Sequence, residues 1–207
     1  MEEIVRKMKK VLGAVLIVLM AVSFAYAEVD KPLHIYLQGG ATLPMGDTKD
    51  GFKTGFNAGG GVGFSINENI EIVGRVLYHS MKPDFGGDFW LGMADGYNLD
   101  DYDASGGELQ PLMYGGELKL NTGDEEKNFY LIAGIGKAKL KLADLKVNGE
   151  KSKIADDETE TYFCVGGGVE FGKFFVEGRY VMIKLKPEGT DEEFDFNMVP
   201  ICIGVKF

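Results

Sequence analysis

Two histidines, two cysteines and one acidic stretch are the residues with which this chain could do chemistry. His79 beside Ser80 offers a base and a nucleophile, but if the segment is a strand the two side chains point to opposite faces and cannot share a proton. His34 is the only other histidine, so a histidine-rich metal site is excluded. Asp101-Tyr102-Asp103-Ala104-Ser105-Gly106 begins like a D-x-D-x-S-G calcium loop, yet the twelfth position is Leu112, where a bidentate Glu is required. A looser calcium site on Asp100, Asp101 and Asp103 remains an expectation, because residues 82–110 hold seven acids and one lysine. Its rival is a solvated acidic loop. These residues give no ground for an enzyme or for a cofactor.

The composition narrows the class. The chain has 207 residues, 45% of them apolar, with 30 glycines, 6 prolines and a formal charge of −10. That balance excludes disorder, collagen and a disulfide scaffold. It also argues against nucleic acid as a partner, since neutralising phosphates takes a surplus of Lys and Arg. Arg6, Lys7, Lys9 and Lys10 precede an apolar run from Val11 to Val22, and Ala25-Tyr26-Ala27 supplies small residues for cleavage. Residues 1–27 are therefore expected to be a secretory signal peptide, and residues 28–207 one exported domain. The apolar run is too short for a span of ~20 residues. Removing four basic and two acidic groups with the signal leaves a net charge of −12.

The exported part alternates with period two. Phe56, Ala58, Val62, Phe64 and Ile66 share one face, and Asn57, Gly59, Gly61, Gly63 and Ser65 share the other. Similar segments lie near 33–43, 70–81, 112–121, 128–140, 161–171, 174–185 and 194–207, which makes eight strands. The links at 67–69, 122–127 and 172–173 are short, whereas 44–53, 82–110, 141–160 and 186–193 are long. Short turns at one end and long loops at the other are the pattern of an all-β, eight-stranded, antiparallel up-and-down transmembrane barrel. Asn148-Gly149 predicts a hairpin inside the third long link, extending the fifth and sixth strands as a protruding ribbon. Gly59–Phe64 recurs as Gly166–Phe171, and each copy precedes a strand with Gly-Arg, at Gly74-Arg75 and Gly178-Arg179.

Parity then decides what faces inward. A tight turn at Gly172-Lys173 sets Gly168 opposite Glu177 and Gly166 opposite Arg179, and the turn at Glu68 sets Gly61 opposite Arg75. Long charged side chains facing glycines fit a crowded interior. Glu71, Arg75, Glu117, Lys119, Glu170, Glu177 and Arg179 are therefore expected to fill the lumen as a charged network, because buried charges must be paired. The apolar face then meets lipid, with aromatic residues near both strand ends. Lys137, Lys139, Lys141, Lys184 and Lys186 fall near the outer rim, within reach of lipopolysaccharide phosphates or simply of solvent. Cys164 and Cys202 are separated by a strand, about 9–10 Å at ~4.8 Å per strand, and are expected to stay free thiols.

The last strand carries the most specific pattern. Val199, Ile201, Ile203 and Val205 alternate with Pro200, Cys202, Gly204 and Lys206, and the aromatic Phe207 follows on the apolar parity. Pro200 cannot donate to a neighbouring strand, so a bulge or a later strand start is expected there. The alternation closing on an aromatic residue resembles the terminal assembly signal of bacterial outer-membrane proteins, carried here by Ile203, Val205 and Phe207. With the eight strands and the loop asymmetry, residues 28–207 resemble the small barrel family that includes outer membrane protein X and the transmembrane part of outer membrane protein A. The resemblance implies the bacterial outer membrane, both termini periplasmic and long loops extracellular. It implies a monomer, with outer-membrane lipid, lipopolysaccharide and the barrel assembly machinery as partners. Function is then expected to be that of a surface scaffold or binding protein, the alternative being a narrow porin-like channel for ions or small solutes.

Overall fold

The structure is a computed structural model and describes residues 32–85, 104–122, 127–147, 150–152, 157–185 and 194–207. Eight strands close a barrel: β1 (Leu33–Gly46), β2 (Gly55–Ser65), β3 (Ile70–Ser80), β5 (Leu112–Asn121), β6 (Lys127–Leu140), β9 (Glu158–Phe171), β10 (Phe174–Leu185) and β11 (Phe194–Lys206). Three short strands, β4 (Ala104–Gly106), β7 (Leu145–Val147) and β8 (Glu150–Ser152), make a separate sheet beyond the loop end. Every pairing is antiparallel, and β1 closes on β11.

The registers give the geometry of closure. A path perpendicular to the strands from His34 runs through Gly63, Val73, Glu117, Gly134, Cys164, Val181 and Met198, and returns to β1 at Pro44. The stagger is thus ten residues for eight strands, which tilts the strands by about 40° and leaves an interior that side chains can fill. No strand shifts register along its length. At Pro200 the expected bulge is absent: β11 keeps the same register against β1 and β10 on both sides of the proline. Its missing N–H shows instead as an interruption of the β10 ladder between Gly178↔Ile201 and Val181↔Met198.

The Asn148-Gly149 expectation needs a similar correction. β7 and β8 do pair across that position, but β6 ends at Leu140 and the hairpin pairs with β4 from the second long loop. The result is a three-stranded sheet rather than a two-stranded ribbon continuing β6 and β9, because β4 offers a further edge to pair.

Alternation sorts the side chains as the closed wall requires. Outward positions hold Ile35, Leu37, Val62, Ile72, Val76, Leu118, Leu131, Ile135, Val165, Val176, Ile201 and Ile203, all exposed. A continuous apolar surface of this extent is stable only against hydrocarbon, and a closed wall leaves no backbone edge to solvate there. Aromatic residues bound it. Phe56 and Phe64 on β2, and Phe163 and Phe171 on β9, are spaced eight residues apart, about 20 Å along the axis at ~3.3 Å per residue and ~40° tilt. With ring lengths added this matches the ~25 Å apolar band of transmembrane barrels. Cys164 and Cys202 are buried free thiols, facing Val181 and Glu177 across opposite sides of β10.

Val76 lies midway along the lipid-facing wall of β3. Val76→Arg is expected to destabilise the barrel by about 2–4 kcal/mol in phospholipid vesicles, read from urea unfolding, because the charge sits near the middle of the apolar band.

Candidate functional site

The interior is divided along its axis. Near the turn end and up to mid-height it is filled by charge; toward the loop end it is filled by apolar side chains.

The charged half is built from inward positions on seven strands. Arg75 on β3 donates through Nε to Glu117 Oε2 at 3.0 Å, and Arg179 on β10 donates through Nη1 to the other oxygen, Oε1, at 2.7 Å. Glu177 completes the ring, pairing with Arg179 and lying 3.6 Å from Arg75 Nη2. Gln38 accepts from Arg75, and Tyr130 OH donates to Glu177 at 3.2 Å. One level nearer the turns, Lys119 pairs with Glu170 and lies 3.5 Å from Glu71. Lys206 reaches Glu170 at 2.8 Å, Tyr36 OH donates to Glu71 at 2.8 Å, and His34 Nδ1 lies 3.0 Å from Glu71. Lys119 also sits 4.2 Å from the Tyr130 ring centroid.

Glu71, Arg75, Glu117, Lys119, Glu170, Glu177 and Arg179 are all buried and all belong to this one network. Sequence parity placed these seven but omitted Lys206, Tyr36, Tyr130 and Gln38. Lys206 shares its parity with Gly204 and Cys202, which was the available signal. Its inclusion gives four cations, Arg75, Lys119, Arg179 and Lys206, against four carboxylates, so the filled lumen is neutral without counting His34. The glycines leave the space for it: a Cβ on Gly63 would lie 1.9 Å from Glu71 Oε1, and one on Gly168 would lie 2.4 Å from Tyr130 OH.

The other half was not anticipated. Leu77, Met81, Met113, Leu140, Val181, Ile183, Leu185 and Met198 pack inside the barrel with Tyr162 and Cys164, capped by Phe52 and Leu109 from the loops. One polar chain runs along its wall: Asn57 Nδ2 donates to Thr42 Oγ1 at 3.1 Å, and Thr42 Oγ1 lies 2.9 Å from His79 Nδ1. His79 is buried inside, whereas Ser80 is half-buried on the opposite face, so the two do not form a dyad.

Other expected sites separate cleanly. Asp100, Asp101 and Asp103 lie outside the described residues, and among those described no group of His, Cys, Asp and Glu is placed to hold a metal. Ile203, Val205 and Phe207 point outward, and the Phe207 backbone exchanges two 3.0 Å hydrogen bonds with Ile35, so pairing with β1 continues to the last residue. Lys139 pairs with Asp157 at 2.8 Å and Lys137 donates to Thr161 at 2.9 Å, while Lys186 lies outside the described residues.

Glu117→Ala would leave two buried guanidiniums sharing Glu177 alone and is expected to cost about 3–5 kcal/mol. Lys206→Met removes a partly exposed cation from a carboxylate that Lys119 still holds, and is expected to cost about 1 kcal/mol or less. Urea unfolding of both variants in the same vesicles makes the comparison.

Comparison with known proteins follows from this geometry. The family model of the outer membrane protein beta-barrel domain matches residues 13–207. Among solved structures, Neisserial surface protein A aligns at 13% identity over 85% of this chain and 96% of its own, with a TM-score of 0.48. OprG from Pseudomonas aeruginosa aligns at 11% identity over 85% and 96%, with a TM-score of 0.48. Ail, the attachment invasion locus protein of Yersinia pestis, solved with the heparin analogue sucrose octasulfate, aligns at 12% identity over 84% and 99%, with a TM-score of 0.44. No curated protein sequence matches. A closed wall of eight antiparallel strands, apolar outside and filled within, together with a family match across nearly the whole chain, makes this protein a member of the outer membrane protein beta-barrel family of bacterial outer membranes.

Proposed function

We propose that the protein is a sealed, monomeric membrane anchor that displays its long loops outside the cell, with both termini on the periplasmic side. The single observation that supports this reading is the filled lumen. A solute crossing it would have to part the neutral ring of Arg75, Glu117, Arg179 and Glu177 and then cross an apolar layer of Leu77, Met113, Val181 and Met198. Either layer alone opposes ions: the first holds its charges in mutual pairs, and the second offers nothing to replace hydration. What acts on the outside is then carried by the long connections and by the small β4-β7-β8 sheet that joins two of them. In this orientation β11, with Ile203, Val205 and Phe207 on its lipid face, is the strand offered to the assembly machinery.

The test is conductance in a planar bilayer. The refolded protein is expected to insert stably and show no steady current, and Arg75→Ala with Arg179→Ala is expected to stay closed because the apolar layer persists. A steady wild-type current that rises in the double variant would overturn the sealed reading and make the lumen a pore.

A further inference from the structure

One line of hydrogen bonds runs through the interior from the charged ring to the apolar packing, and its direction is fixed. Arg75 on β3 can only donate, so Gln38 on β1 accepts through Oε1 and turns its amide nitrogen toward Cys202 on β11, 3.3 Å from Sγ. The thiol therefore accepts from Gln38 and gives its own proton to Asn57 Oδ1 at 3.1 Å. Asn57 donates through its nitrogen, to the Ala41 carbonyl at 2.8 Å and to Thr42 Oγ1 at 3.1 Å. A guanidinium at one end and a backbone carbonyl near the other thus impose the same orientation on Asn57.

Thr42 carries that orientation to His79. Its oxygen accepts from Asn57, so its proton goes to His79 Nδ1, 2.9 Å away. Among the described residues no carboxylate pairs with His79, and a buried charge without a partner is costly, so the ring is neutral. A neutral imidazole that accepts at Nδ1 carries its hydrogen on Nε2. His79 is fully buried, and Nε2 has no hydrogen-bond partner among the described residues. The two ring nitrogens point apart, so Nε2–H faces away from Thr42, on a residue that stands between Leu77 and Met81 in the line of β3.

A buried donor without an acceptor is costly, and the surroundings limit what can serve as one. An anion is opposed because the four lumen cations already have four carboxylates. A large occupant is opposed by the side chains of Leu77, Met81, Met113 and Met198, which are buried against one another in a single cluster. A small uncharged acceptor meets both conditions. We propose that His79 Nε2–H is the donor of an internal site for one water molecule, set beside the apolar packing and oriented by the hydrogen-bond chain from Arg75 and Ala41. Thr42 is the positioning residue of this site, since its hydroxyl decides which nitrogen of His79 holds the hydrogen.

Solid-state NMR of the untagged protein with isotope-labelled histidine, in phospholipid bilayers, tests the proposal; the chain has two histidines, and His34→Gln assigns them. Nδ1 of His79 is expected to be bare and Nε2 to carry hydrogen. Magnetisation from water is expected to reach Nε2–H severalfold faster than the methyl groups of Leu77, Met113 and Met198. Thr42→Val is expected to give a mixture of the two tautomers and to slow that transfer, and Thr42→Ser to restore both. Hydrogen on Nδ1 in the wild type, or a Thr42→Val variant with unchanged spectra, would overturn the site. Slow transfer to Nε2 and methyls alike would overturn it and leave the sealed lumen standing, whereas fast transfer to all of them would mean a water-filled lumen and overturn both. Heat-modified gel mobility reports folding of each variant, and the wild-type spectra decide the outcome if Thr42→Val does not fold.

Discussion

Both guanidiniums of the lumen rest on one carboxylate. Glu117 gives one oxygen to Arg75 and the other to Arg179, and these arginines come from opposite sides of the barrel. They also occupy equivalent places in the internal repeat, each after a glycine and each facing a glycine-rich strand. The repeat thus delivers two like charges to one level of a low-dielectric interior, where they are tolerable only because Glu117 and Glu177 alternate with them. The bare strands follow from the same need: side chains this long cannot share a lumen of eight strands unless their neighbours have none.

Neutrality also explains the order of the layers. Four cations and four carboxylates are gathered in the half that ends at the short turns, and Lys206 and His34 sit at its edge, where water reaches the network. Above them the polar chain of Asn57, Thr42 and His79 runs along the wall beside the apolar packing.

Strand positions were legible because a one-sided wall imposes period two. On β2 the inward parity holds only Asn, Gly and Ser, so the lipid face stands out. The charged lumen was legible for the same reason. On β10 the signal fails toward the loop end: Val181, Ile183 and Leu185 face inward while Tyr180 and Met182 face lipid, and a strand apolar on both faces gives parity nothing to separate. The apolar plug went unseen on that account. Pro200 misled in the other direction, since a residue that cannot donate implies a local break, yet the closed wall holds the strand in register and simply does without the bond.

The two thiols are kept apart by the strand order. Cys202 is held between Gln38 and Asn57, Cys164 lies among apolar neighbours, and β10 stands between their strands. A protein bound for the outer membrane meets an oxidising compartment before it has a barrel to hide in. A bond between these sulfurs would tie β9 to β11 and occupy the place where β10 has to enter. Once β10 is paired on both sides, it stands as a spacer that keeps the two buried thiols apart, so the order of the strands itself protects them from each other.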